Sequence, residues 1–181
     1  MLHAIVKAAV DVTAASGGWI LGRENGRLLV RASTGTGIDT SPLAGVSIDE
    51  GSGTSGYVIA SGQPLALSAR ADDPRLSAGI AGHLGLRPST VLCVACEAGD
   101  TVVGALELID KAGGTAFSFD DVELATLLAG IGAVALAERD QSPVAIASPS
   151  TLGNDLHRLA DADPARYAVV AAAVGALLDR D

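Results

Sequence analysis

The sequence predicts an α+β fold in which antiparallel hairpins are flanked by helices. Three features carry that prediction. Between Ser89 and Asp121, two apolar runs, STVLCVAC and TVVGALELID, flank the polar turn EAGD, the signature of a β-hairpin. Strands this apolar are expected at the centre of a sheet with both faces covered. A second hairpin is predicted in WILGRENGRLLVRAS, where Asn25-Gly26 suits a type I′ turn that needs positive φ at both positions. A helix precedes this hairpin, an order that argues against a parallel doubly wound sheet.

The elements follow in order. Leu2 to Ala15 is predicted helical, because Leu2, Ile5, Val6, Ala9, Val10 and Thr13 share one broad face. Ser16-Gly17-Gly18 is expected to stop it. The polar stretch from Gly35 to Ala44 is expected to be a loop. Gly51 to Gly56, GSGTSG, spells G-x-G-x-x-G, but it follows VSIDE rather than a buried apolar strand. It is therefore read as a glycine-rich turn onto a short helix whose N–H groups are free at its start. Pro64 to Ser68 is a short strand, and Ala69 to Arg87 is a long excursion with a short helix expected from Leu76 to Leu84. Loops of this length in a compact domain form lids and pocket walls.

After the second hairpin, Ser118 suits a helix N-cap, with Asp121 three residues on in the manner of a capping box. The helix is predicted from about Asp120 to Arg139. Val122, Ala125, Leu127, Leu128, Ile131, Val134, Ala135 and Leu136 cover more than one of its faces, so it needs a partner besides its own sheet. A second copy of the chain is the economical one. The domain is expected to span residues 1–140, with a proline-bearing linker at 141–150. An extension at 151–181 is predicted as two helices, Thr151 to Ala160 and Pro164 to Asp179, broken at DADP. Two such short helices are not stable alone and are expected to dock on the main domain, a dimer mate or another protein.

Composition excludes several functions. Net charge is −9, and the 12 Lys and Arg form no basic run, so a phosphate backbone would be repelled. Aromatic residues make up 3%, too few for a base-stacking platform. The longest apolar stretch, Leu124 to Ala137, lies between Glu123 and Glu138 and falls short of a membrane span. No signal peptide is expected at the N-terminus, where His3 and Lys7 are the only basic groups. Cys93 and Cys96 have C-x-x-C spacing, but inside a strand positions i and i+3 face opposite ways. They are read as buried structural thiols, fitting a reduced, cytoplasmic setting. His83 lacks companions for a metal site, and no Ser–His–Asp arrangement, carboxylate pair or metal set points to an enzyme.

Several stretches, taken together, resemble a bacterial GAF domain: GSGTSGYVIASGQPL, DDPR, STVLCVACEAGDTVVGALELIDK and FSFDDVELATLLAG, across roughly Leu2 to Arg139. The resemblance implies a GAF-like central antiparallel sheet of five or six strands, with helices packed on one face and a ligand pocket on the other, under the loops. Cyclic-nucleotide-binding members carry an Asn-Lys, Phe, Asp-Glu pattern. Here Asp110, Lys111, Phe117 and Asp121 match it in order, Asp110 standing for the Asn, while Val122 replaces the Glu. Lys111 and Asp121 are read as a structural pair that ties the strand exit to the helix start. Ala69 stands where the family commonly has Asp, and Ala95 where it commonly has Pro, which argues against inherited nucleotide binding. Neither haem, bilin nor reductase chemistry is supported, and no cofactor or metal is expected.

The expectation for function is a non-enzymatic sensory or regulatory module. It acts through dimerisation by helices 2–15 and 120–139 and through a protein partner on 151–181, gated by a small ligand. The ligand-binding candidates are Thr54, Ser55 and Tyr57 at the short helix, with Asp72, Asp73, Arg75 and His83 from the long loop. The alternative is a dedicated receptor for a nucleotide or metabolite.

Overall fold

Helix α1 (Leu2–Thr13) buries Leu2, Ile5, Val6, Ala9 and Val10, the residues that recur at helical spacing. It ends at Ala14, which takes the left-handed conformation (φ 53°, ψ 37°), and β1 (Ala15–Glu24) begins at once. The expected stop at Ser16-Gly17-Gly18 is therefore corrected, because these residues lie inside β1. Gly18 serves packing there: a Cβ would sit 2.6 Å from Leu108 Cδ2 and 2.9 Å from the Glu107 carbonyl oxygen.

This computed structural model describes residues 1–68, 78–140 and 149–162, together with 164, 167, 168 and 171. The chain divides into two units, Met1–Gln141 and Ser142–Asp181.

In the first unit, β1 turns through Asn25 (φ 50°) and Gly26 (φ 75°) into β2 (Arg27–Gly35), with both positive φ values that the dipeptide predicts. The stretch that follows contains a single 3₁₀ turn, Ser41–Leu43, which buries Leu43. Next come β3 (Ser47–Asp49), α2 (Gly53–Ser61), β4 (Leu65–Ser68) and α3 (Ile80–His83). The strong hairpin is β5 (Thr90–Ala98) and β6 (Thr101–Lys111), and α4 (Phe119–Asp140) closes the unit. The second unit contains α5 (Pro149–Ala162). Much of the linker and of the expected helix at 164–179 lies outside the described residues.

The six strands form one antiparallel sheet in the order β3-β2-β1-β6-β5-β4. Alternation along the central strands sends side chains to two cores. On one face, Ile20, Leu92, Val94, Cys96, Leu106 and Leu108 meet the two long helices, α1 and α4. On the other, Trp19, Leu21, Val91, Cys93, Ala105 and Ile109 meet Ile48 of β3 together with Leu43, Val58, Ile59, Ile80 and Ala81 from the 3₁₀ turn and the short helices.

Helix α4 approaches its face closely. Ala125, Ala129 and Ala133 are fully buried at intervals of four, and Gly132 comes so near that a Cβ would lie 2.6 Å from Ile20 Cδ1. Across the contact, a Cβ on Gly104 of β6 would lie 2.1 Å from the Leu21 carbonyl oxygen and 2.7 Å from Leu136 Cδ1. Small residues on both sides bring helix backbone and sheet together.

Candidate functional site

The sheet face opposite α1 and α4 carries a polar cluster inside an apolar core. Glu107 lies on β6, between Trp19 of β1 and Cys93 of β5 in direct cross-strand register. Glu107 shares this face with Ala105 and Ile109 because all three are two residues apart. From above, the first turns of α2 supply two hydroxyls. Ser55 Oγ donates to Glu107 Oε2 at 2.8 Å, and Thr54 Oγ1 donates to the same oxygen. The Cys93 thiol in turn lies 3.9 Å from Ser55 Oγ. All five residues are at most 2% exposed.

The glycines of GSGTSG explain how α2 reaches the sheet. Gly53, at φ 69°, bends the chain into the helix, and Gly56 passes so close to Gly51 that a Cβ would lie 2.3 Å from the Gly51 carbonyl carbon. The motif thus presses α2 onto its own approach loop and delivers Thr54 and Ser55 to Glu107.

No described cation pairs with Glu107. Burial pushes its carboxyl above the ordinary glutamate range, opposed by hydrogen bonds from Thr54 and Ser55 and by the nearby Trp19 indole and Cys93 thiol. The Trp19 N–H lies close enough to favour the ionised form, yet it is a buried donor with no hydrogen-bond partner among the described residues. The Cys93 thiol is pushed well up, first by burial and then by Glu107, and burial pushes Cys96 up to about 12. Both cysteines are free, buried and on opposite faces of the sheet, so their C-x-x-C spacing cannot converge on a metal. The cluster therefore presents a buried carboxyl that accepts from two hydroxyls, and it offers no activated nucleophile.

A second polar node lies where β6 exits. Asp110 adopts φ 52°, and its Oδ1 accepts the Ser89 N–H at 2.6 Å and the Ser89 hydroxyl at 2.9 Å. Its carbonyl accepts the Ser16 hydroxyl at 2.8 Å. Next along the chain, Lys111 pairs with Asp121 and stands 5.9 Å from the Phe117 ring centroid. Asp121 Oδ2 also accepts the Ser118 N–H at 2.6 Å and the Ser118 hydroxyl at 2.8 Å, while the Asp121 N–H donates back to Ser118 Oγ at 3.3 Å. Burial alone would raise the Asp121 carboxyl, but the hydrogen bonds from Lys111 and Ser118 outweigh it and hold it below the ordinary aspartate range.

Of the candidate ligand residues, Thr54 and Ser55 come together over Glu107. Tyr57, on the same helix, is half exposed. His83 is exposed at the end of α3, with Nδ1 3.4 Å from the Gly79 carbonyl oxygen. Asp72, Asp73 and Arg75 lie outside the described residues. The sequence reading passed over Glu107 as a binding residue. Its signal was present: a carboxylate inside a strand expected to be covered on both faces must be buried.

No helix among the described residues is long and apolar enough to cross a membrane. No curated protein matches the chain. Among solved structures, the fold is similar to the GAF domain of a phosphoenolpyruvate-protein phosphotransferase from Coxiella burnetii, at TM-score 0.65 and 17% identity over 77% of this chain and 82% of that one. It is also similar to the second GAF domain of DevS from Mycobacterium smegmatis, at TM-score 0.60 and 20% identity over 77% and 93%. A type II free methionine-R-sulfoxide reductase from Thermoplasma acidophilum matches at TM-score 0.59 and 17% identity over 75% and 89%. These likenesses are in fold. The GAF domain family model matches residues 1–137, which take in the whole sheet and nearly all of α4, and on that match the chain belongs to the GAF domain family.

Proposed function

We propose that this chain is a non-catalytic regulatory module that works as a homodimer joined through α4 and the start of α1. The observation that carries this reading is a second apolar stripe on α4. Leu124, Leu127, Ile131 and Val134 follow one another at intervals of three, four and three, and they are 41%, 66%, 49% and 58% exposed. The stripe lies on the opposite side of the helix from Ala125, Ala129 and Ala133, which face the sheet. Met1, Leu127, Gly130, Ile131 and Val134 line a groove of about 630 Å³ along it. A side chain of this size gains about 1.5–3 kcal/mol on full burial. Gly130 leaves room for a second helix to approach. In this arrangement α1 and α4 of two copies form a four-helix bundle. The apolar pattern Leu152, Leu156 and Leu159 on the C-terminal extension supports contact with a further protein partner. Two free buried thiols fit a reducing, cytoplasmic setting.

Sedimentation equilibrium at micromolar concentration tests the assembly. The expected result is a dimer for the native chain and a folded monomer for the double substitution Leu127→Glu, Ile131→Glu. A native monomer at that concentration would overturn it.

The Glu107 cluster favours a second reading, in which a small polar metabolite gates the module from the other face. A buried carboxyl, two hydroxyls and a Trp19 N–H without a partner among the described residues are the convergent polar groups that such a site requires. Thermal-shift screening against nucleotides, amino acids and related metabolites tests it, and Glu107→Gln should abolish any stabilisation found.

A further inference from the structure

We propose that the outer edge of β2, beyond the end of β3, binds an extended peptide segment of a partner protein as an added strand. Strand β3 pairs with Arg27, Leu28 and Leu29, yet β2 runs on to Gly35. Among the described residues, the rest of β2 has β1 as its one strand neighbour. The sheet is therefore stepped on this side, which is the side far from β4, and the segments that border the step are all described.

Two backbone hydrogen bonds fix which groups face the step. The Val30 N–H points outward and donates to the Val46 carbonyl at 2.9 Å. The Thr36 N–H points inward and donates to the Ser16 carbonyl, ahead of β1, at 2.7 Å. An even spacing would send both the same way, but Arg31 is an extra residue: Leu21 pairs with Val30 and Ile20 with Ala32. Counting back from Thr36, Thr34 and Ala32 face β1, while Ser33 and Gly35 present N–H and C=O to the outer edge. A row of such groups is a template for another strand.

The step is a groove of about 460 Å³ with a wall on each face of the sheet. One wall is the start of α1, with His3, and the other is the loop at the 3₁₀ turn, with Asp39, Thr40 and Ser41. That loop crosses the face of β2. A Cβ on Gly35, which would project from the face, would lie 2.9 Å from the Ile38 carbonyl oxygen, and Ser33 Oγ donates to the Thr40 carbonyl at 3.4 Å. The backbone edge forms the floor between the walls. They admit a single extended chain and obstruct the edge of a second copy, which would bring walls of its own.

The walls also select side chains. Arg31 lies on the α1 side, since a Cβ on Gly22 would meet both Arg31 Nε, at 2.9 Å, and Leu136 of α4, at 3.2 Å. Successive residues of an added strand point to opposite walls, so an acidic side chain towards His3 and Arg31 and a basic one towards Asp39 fit best. Arg31 already pairs with Glu24 at 2.7 Å, so main-chain bonds supply most of the affinity.

Amide hydrogen exchange of the full chain, read residue by residue with NMR, tests the edge. Without peptide, the Ser33 and Gly35 amides should exchange fast and the Thr34 amide slowly. Acetyl-Val-Glu-Lys-Val-amide at about millimolar concentration should slow Ser33 and Gly35 about tenfold or more. The same peptide N-methylated on the amides that face β2 should have no effect. Ser33→Pro removes one outward N–H and leaves the bonds to β1, so it should keep the fold and abolish the protection of Gly35. Slow Ser33 and Gly35 amides in the free chain would overturn the proposal, because the edge would already be covered. So would an absence of added protection, or equal protection by the N-methylated peptide, and both of these readings hold if Ser33→Pro does not fold.

Discussion

Ser55 Oγ donates to Glu107 Oε2 at 2.8 Å, joining the first turns of α2 to the middle of β6 across 52 positions of sequence. With the Thr54 hydroxyl on the same oxygen, the pair forms a closed polar contact inside an otherwise apolar layer. Such a contact is costly to break from one side and cheap to replace whole.

Glu107→Leu should therefore cost about 1–3 kcal/mol, because it strands two buried hydroxyls. Adding Thr54→Val and Ser55→Ala should recover most of that loss, since the layer becomes uniformly apolar. Urea denaturation of the single and triple variants measures the difference. A triple variant no more stable than the single one would show that the hydroxyls have other partners.

The two shifted carboxyls give stability opposite pH dependences. Glu107 is raised, so its contribution is complete below the ordinary glutamate range and is lost as pH rises through its folded value. Asp121 is lowered, so its contribution is present above the ordinary aspartate range and is lost as pH falls through its folded value. Unfolding free energy followed against pH should lose its decline on the alkaline side of the glutamate range in Glu107→Gln. It should lose part of its acid decline in Asp121→Asn. The reverse assignment of the two slopes would refute this account.

Two glycines of one motif should respond differently to alanine. A Cβ on Gly56 would meet Gly51 and Glu50 backbone atoms at 2.3–2.8 Å, whereas a Cβ on Gly51 meets nothing within 4 Å. Gly56→Ala should cost about 1–3 kcal/mol or more, because backbone cannot rotate aside. Gly51→Ala should stay within about 0.5 kcal/mol of the native chain. Thermal unfolding of the two variants decides it, and equal losses would remove the close-approach explanation.

Asp110 combines a left-handed backbone with an acceptor for the start of β5. Asn tolerates that backbone and keeps the acceptor, whereas Ala loses the acceptor and strains the turn. Asp110→Asn should thus remain near native stability, and Asp110→Ala should lose about 1–3 kcal/mol by chemical denaturation.

Much of the architecture was legible because its local chemistry has few solutions. Asn25-Gly26 needs two positive φ values, and a type I′ hairpin supplies them. Ser118 and Asp121 announce the start of α4 by reciprocal capping. Cys93 and Cys96 fall on opposite faces because a strand alternates. The misreadings have equally local causes. Ser16-Gly17-Gly18 looked like a helix stop, but Gly18 makes room for Leu108 of β6 and Val10 of α1, and Gly17 lies against Ile38 and the β2 backbone. Strand β3 has three residues, too few to establish a period. Glu107 was visible as the first charge in its strand, but its role depends on hydroxyls more than 50 residues earlier.

Helix α4 rests on its sheet through Ala125, Ala129, Ala133 and Gly132, opposite Gly104. At this junction Ile20 Cδ1 meets Gly132 and Leu136 Cδ1 meets Gly104, so each long side chain is backed by bare backbone that cannot rotate aside. A shift of β1 or β6 would press on α4 at these points, and the far side of the helix carries Leu127, Ile131 and Val134.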